Sequence, residues 1–156
     1  MNGNAGLRAL IESAWTEFNS SEAGRRDLCL DAVNDVLDTG RLTRNDAERV
    51  VERLVTVALS DEGRAVRESA LNAVCTASTH YGLPYRLVEP LAAGVDTFEP
   101  LLIAYVLTVL GSTHDQAALP IVERFLRHPH SEVRRDASDA ATEIHRHRES
   151  APDKTA

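Results

Sequence analysis

Aromatic residues, cysteine, lysine and long apolar runs are all scarce in this chain, and each scarcity removes a class of function. Holding a nucleic-acid backbone and an exposed base takes basic and aromatic side chains on one face. Only one Trp, three Tyr and three Phe are spread over 156 residues, and 17 basic residues face 24 acidic ones for a formal charge of −7. No cluster of basic residues offsets that excess, so neither nucleic acid nor an anionic membrane is expected as a partner. The longest uncharged stretch, Pro100 to His114, holds Gly111 and several polar residues. Met1-Asn2-Gly3-Asn4 supplies no basic lead into an apolar segment, so the expectation is a soluble, unexported, cytoplasmic protein. The two cysteines, Cys29 and Cys75, lie in helical patterns without C-x-x-C spacing. They read as buried reduced thiols rather than a disulfide or a reactive site. Arginine outnumbers lysine sixteen to one, the bias of a high-GC bacterial genome.

What is present is a repeat. Segments anchored on Arg26, Arg67, Leu101 and Arg134, spaced 41, 34 and 33 residues apart, place small or apolar residues at the third, fourth, sixth and seventh positions after each anchor. The first set is Cys29, Leu30, Ala32 and Val33, and the second is Ala70, Leu71, Ala73 and Val74. That spacing predicts one apolar face of a helix each time, at a period suited to helix pairs. A second amphipathic stripe precedes each anchor: Leu7 to Phe18, Val50 to Leu59, Leu87 to Ala92, and Ala118 to Leu126. Gly40, Gly82, Gly94 and Gly111 are expected where helices end, and Thr43-Arg44-Asn45-Asp46 and Thr113-His114-Asp115-Gln116 where they begin. Pro84 suits a first turn, whereas Pro90 and Pro120 predict kinks or late helix starts. The fold class is therefore all-α, an α-solenoid of about four antiparallel helix pairs. One domain is expected over residues 1–147, with a disordered tail over 148–156.

The stretches Asp61-Glu62-Gly63-Arg64-Ala65-Val66-Arg67-Glu68-Ser69-Ala70-Leu71 and His130-Ser131-Glu132-Val133-Arg134-Arg135-Asp136-Ala137 resemble the junction of a HEAT repeat. There a polar turn leads into Val-Arg, and alanines then allow close helix packing. The first repeat keeps the arginine without the valine, and the third has Glu99-Pro100-Leu101 instead. The resemblance implies a protein-binding scaffold, although HEAT-like relatives include a bilin lyase subunit and an alkylpurine DNA glycosylase. Arg26, Arg67 and Arg134 then read as bridges between neighbouring repeats, with partner contact as the alternative.

Chemistry is not prompted. No phosphate loop, nucleophile elbow or Cys-His pairing appears, so the expectation is no enzyme, no catalytic residue and no cofactor. His128-Pro129-His130 and His145-Arg146-His147 invite a metal, but zinc needs three or four ligands converging at about 2 Å. Histidines two apart on a helix point about 200° apart, so solvated side chains are expected and no metal site.

Binding is what the exposed positions suggest. One, five and nine residues after each anchor stand Asp27, Asp31 and Asp35; Glu68, Asn72 and Thr76; Leu102, Val106 and Leu110; and Arg135, Asp139 and Glu143. An apolar ridge rimmed by acid reads as a partner surface, with Leu102, Val106 and Leu110 as anchors and Asp31, Asp35, Asp139 and Glu143 steering a basic protein. Burial in a tighter stack, with Pro100 shifting the register, and a homodimer seam are the other two readings. On the partner reading, Leu102→Asp and Val106→Asp abolish binding and spare the fold. The expected function is a non-catalytic module, such as an immunity protein or inhibitor that neutralises a basic, nuclease-like toxin. An adaptor or regulatory scaffold, or a HEAT-like glycosylase or lyase subunit, is the alternative.

Overall fold

The computed structural model of the chain describes residues 3–20, 25–60 and 62–150. Asp61, which opens the first HEAT-like junction, lies outside the described residues. The described residues are helical and without strands, arranged as pairs. The first pair is α1 (Gly3–Ser20) and α2 (Arg26–Asp38), and the second is α3 (Arg44–Ala58) and α4 (Arg64–His80). The third is α5 (Tyr85–Ala93) and α6 (Pro100–Ser112), and the fourth α7 (Leu119–Arg124) and α8 (Ser131–Ser150). Short 3₁₀ turns at Val95–Thr97, Gln116–Ala118 and Phe125–Arg127 flank the last pairs. Helix α8 runs past residue 147, where the domain was expected to end; residues 151–156 of the expected tail lie outside the described residues. Where length predicts one domain, the contacts gather into two compact units, Met1–Leu83 and Pro84–Ala156.

In the first unit, α2 packs on both α1 and α4, and α3 packs on α4. The contact faces are those the periodicity predicts. Leu30, Val33 and Leu37 of α2, Val51 and Leu54 of α3, and Leu71 and Val74 of α4 are fully buried, each such side chain worth roughly 1.5–3 kcal/mol. Leu10 departs from the expected α1 stripe at 59% exposed, leaving Ile11, Ala14, Trp15 and Phe18 to carry it. Ala32 of the α2 face is exposed as well. The α2–α3 connection is held by the Leu42 N–H donating to the Tyr81 hydroxyl at 3.0 Å. The Thr43 hydroxyl then caps α3 by accepting from the Asp46 N–H at 3.2 Å, as the sequence predicts. Thr43→Ala is expected to lower stability by about 1 kcal/mol, measurable as a shift in urea midpoint at unchanged slope.

In the second unit, α6 packs on α8, and α7 and the Phe125–Arg127 turn also pack on α8. Pro120 takes an opening position of α7, so that helix begins late, after a 3₁₀ turn. The cap of that turn is Asp115, whose carboxylate accepts from the Ala117 N–H at 2.9 Å. Thr113, expected to open the helix, instead closes α6, its hydroxyl donating to the Leu110 carbonyl at 2.7 Å. Gly111 does fall in the last turn of α6, one residue before its final Ser112. A Cβ there would stand 2.8 Å from Ala140 Cα, so the glycine also permits close approach of α6 and α8.

The starts of the helices correct the repeat register. Helices α4, α6 and α8 begin at Arg64, Pro100 and Ser131. Their third residues are Val66, Leu102 and Val133, which are 3%, 1% and 1% exposed. Pro100, lacking an N–H and fixed in φ, opens α6 at the first helical position. The residue of the third repeat that matches Arg67 and Arg134 is therefore Ile103, two places beyond the expected Leu101.

Candidate functional site

That register decides the fate of the expected apolar ridge. Leu102 is 1% exposed, and Val106 and Leu110 are 0% exposed. They are core, equivalent to Val66, Ala70 and Val74, and cannot anchor a partner. Of the three readings, burial with Pro100 setting the register is the one observed. The exposed line of α6 carries Leu101 and Thr108, with Ala104, Tyr105 and Ser112 half-buried.

The three repeat arginines do not share one role. Arg26 of α2 pairs with Glu62 in the α3–α4 turn, which does link neighbouring helix pairs. Arg67 donates Nε to the Ala58 carbonyl at 3.0 Å, capping the end of α3 in its own pair. Arg134 donates to the carbonyls of His128 and Pro129 at 2.8 and 2.9 Å, in the turn directly before its own helix. A guanidinium near a helix end satisfies carbonyls that lack intrahelical partners, a local use that the expectation of inter-repeat bridging overlooked.

The acidic positions are where the sequence places them, on the surface. Asp31 and Asp35 of α2 are exposed and Asp27 is half-buried beside them. Leu28, at 62% exposure, and the exposed Ala32 share that face. The Asp31 carboxyl titrates above the ordinary aspartate value because of partial desolvation, then the charges of Asp27 and Asp35. A carboxyl raised in the folded state contributes stability fully present below its unfolded pKa and lost as pH rises through the folded value. Its ionised form therefore opposes folding at neutral pH. Asp31→Asn is expected to raise stability at pH 7 by a few tenths of a kcal/mol, the scale of like-charge pairs four apart on a solvated helix. The gain should vanish below about pH 4, where the unfolded aspartate also protonates; paired thermal melts at the two pH values check it.

In the second unit, Asp139 and Glu143 line an open groove of about 410 Å³ between α8 and the α6–α7 turn. Opposite them stands His114, a non-glycine residue at φ 56°, a conformation that histidine tolerates better than most. Its Nε2 lies 2.9 Å from Glu143 Oε1, so Nε2 carries the proton and donates to the carboxylate. His147 stacks on the same imidazole, with centroids 4.4 Å apart and planes 10° from parallel. Thr142 and Arg146 complete the wall. Ring-nitrogen lone pairs lie in the ring plane, so two near-parallel stacked rings do not aim them at one point. Among the described residues, no three His, Cys, Asp or Glu side chains form a group that could hold a metal ion.

The groove joins Asp139 and Glu143 of the expected acidic ridge to His114, Thr142, Arg146 and His147. His147 continues the i, i+4 line of Asp139 and Glu143 and was visible on that count. His114 was not, because it reaches Glu143 from another element. His128 and His130 also meet, the His130 N–H donating to His128 Nδ1 at 3.1 Å, with rings 5.4 Å apart. Cys29 is buried, and burial pushes the Cys75 thiol up to about 12. Neither is in a disulfide, and a thiol so shifted is inert at neutral pH.

No family model matches the chain, and no curated protein matches it. Among solved structures it is similar to an engineered protein whose crystal structure was determined by the Northeast Structural Genomics Consortium. The TM-score is 0.62 at 14% identity, over 91% of this chain and 63% of that one. At that identity the likeness is one of fold, an all-helical repeat-like architecture. No described helix is long and apolar enough to cross a membrane.

Proposed function

We propose that the chain is a non-catalytic module that binds a basic protein partner through its acidic helix faces. The observation that carries the reading is the α2 face. Asp31 and Asp35 are exposed together beside Leu28 and Ala32, at a self-repulsive spacing that gives the fold nothing. Carboxylates kept at a cost to stability, with a small apolar patch between them, suit an interface in which cationic residues meet the acids and an apolar residue meets Leu28. Asp139 and Glu143 on α8 present a second exposed acidic pair, of which Glu143 is already engaged by His114. With the formal charge of −7, such faces accelerate capture of a basic protein. An immunity protein or inhibitor directed at a basic, nuclease-like toxin is the specific role this chemistry suits, and an adaptor for a basic subunit uses the same surface.

The test uses the full chain as bait in native-host extract, beside an Asp31→Asn/Asp35→Asn bait. A basic protein is expected on the first bait, absent from the second, and released as salt rises toward about 0.5 M, where the Debye length is a few ångströms. Equal retention on both baits, or a retained protein of acidic charge, refutes the reading.

A further inference from the structure

The first unit holds a groove of the opposite character. It lies between α1 and α3, has a volume of about 240 Å³, and is floored by the buried Ile11, Trp15, Leu42 and Val50. Its rim carries three guanidiniums. Arg8 is engaged by Asp46, donating Nη2 at 2.9 Å and Nε at 3.3 Å. That bond, ahead of the Thr43 contact and the nearby charge of Arg49 and against partial desolvation, holds the Asp46 carboxyl below the ordinary aspartate value, so Asp46 is committed first to Arg8. The Arg53 guanidinium carbon lies over the Trp15 ring, 4.3 Å from its centroid, with one long 3.5 Å contact to Asn19 Oδ1. Arg49 is exposed one turn away on the same side of α3. Neither Arg49 nor Arg53 makes a salt bridge with a carboxylate among the described residues, and the remaining acid of the rim is the exposed Glu12.

We infer that this groove is a binding site for a small carboxylate carried on a compact apolar group. The carboxylate accepts from the forks of Arg49 and Arg53, and the apolar group rests against Ile11, Leu42 and Val50. The chemistry follows from the parts. A guanidinium drawn to an indole face is held in place by the cation–π attraction and keeps N–H donors for a planar anion. Bidentate, charge-assisted bonds in a partly enclosed groove are the stronger kind. Arginines spaced i, i+4 repel each other, and an anion between them removes that repulsion. At roughly 30 Å³ per water, the volume is that of about eight waters, on the scale of a small acid such as phenylacetate or of one apolar residue at the carboxy-terminal end of a peptide. The inference is independent of the acidic faces and does not rest on the proposed function.

The chain has a single Trp, and it forms the floor, so Trp15 fluorescence reports on this groove. Titrations of the full chain, followed by fluorescence and in parallel by calorimetry, would use phenylacetate, phenylacetamide, and a tripeptide ending in leucine with a free or an amidated terminus. A saturable response to at least one carboxylate is expected, in the millimolar range or tighter as suits so small a ligand, with at least tenfold weaker response to its amide. The tighter of the two carboxylates identifies a free acid or a chain end as the source. Arg49→Gln, at an exposed position, should weaken binding about tenfold at unchanged melting temperature. Overturning results are the absence of saturable binding by both methods, amides that bind as well as acids, or wild-type affinity in both Arg49→Gln and Arg53→Gln.

Discussion

Val106→Asp is expected to leave the chain largely unfolded at room temperature. Val106 is 0% exposed on the face of α6 that also buries Leu102 and Leu110. A carboxylate there finds no cation and no water, and either ionises at a large desolvation cost or shifts its pKa to stay neutral. A loss of more than about 4 kcal/mol is the scale for such a change, against the 5–15 kcal/mol that usually holds a domain together. Leu102→Asp should behave alike, and Leu107→Ala, which only opens a cavity, should lose about 2–5 kcal/mol. Far-ultraviolet circular dichroism with thermal melts decides the matter. If the Asp variants melt within a few degrees of the parent, the face is exposed in solution and the ridge is a surface after all.

Gly111→Ala is the second large effect, and its sign runs against helix propensity. In an open helix the change would gain roughly 1 kcal/mol. Here the new methyl meets Ala140 Cα at 2.8 Å and Cβ at 2.9 Å, closer than carbon atoms approach without displacement. Helices α6 and α8 must move apart, and a net loss of about 1–3 kcal/mol is expected. Ala140→Gly should not rescue it, because the nearest atom is backbone and remains. Gly111→Val should be worse than Gly111→Ala. Urea denaturation of the three variants and the double mutant separates these outcomes, and a Gly111→Ala protein more stable than the parent would show that α6 and α8 do not approach so closely.

The arginines show how residue type and residue role part company. Arg26, Arg67 and Arg134 recur at one repeat position, yet Arg26 pairs with a carboxylate whereas Arg67 and Arg134 each donate to backbone carbonyls. Which acceptor lies within reach depends on the path of each turn, and periodicity carries no information about that path. His114 and His147 make the same point for the α8 groove. One half of the pair sits on a helix line that can be counted, and the other arrives from a turn bent into the left-handed region.

By itself the sequence determined the all-helical class, the division into helix pairs, the buried stripes of α3 and α4 and, Ala32 apart, of α2, the Thr43 cap, and the exposure of Asp31, Asp35, Asp139 and Glu143. Each of these follows from local periodicity or local hydrogen bonding, in which partners lie within about one turn. Tertiary structure alone decided α6. Ile103, Val106, Leu107, Val109 and Leu110 are apolar around most of its circumference, and a helix without a polar face gives periodicity nothing to orient by. Its register was set by Pro100, its close approach to α8 by Gly111, and its burial by packing. The residues of the third repeat that looked most like a binding surface are for that reason part of the core.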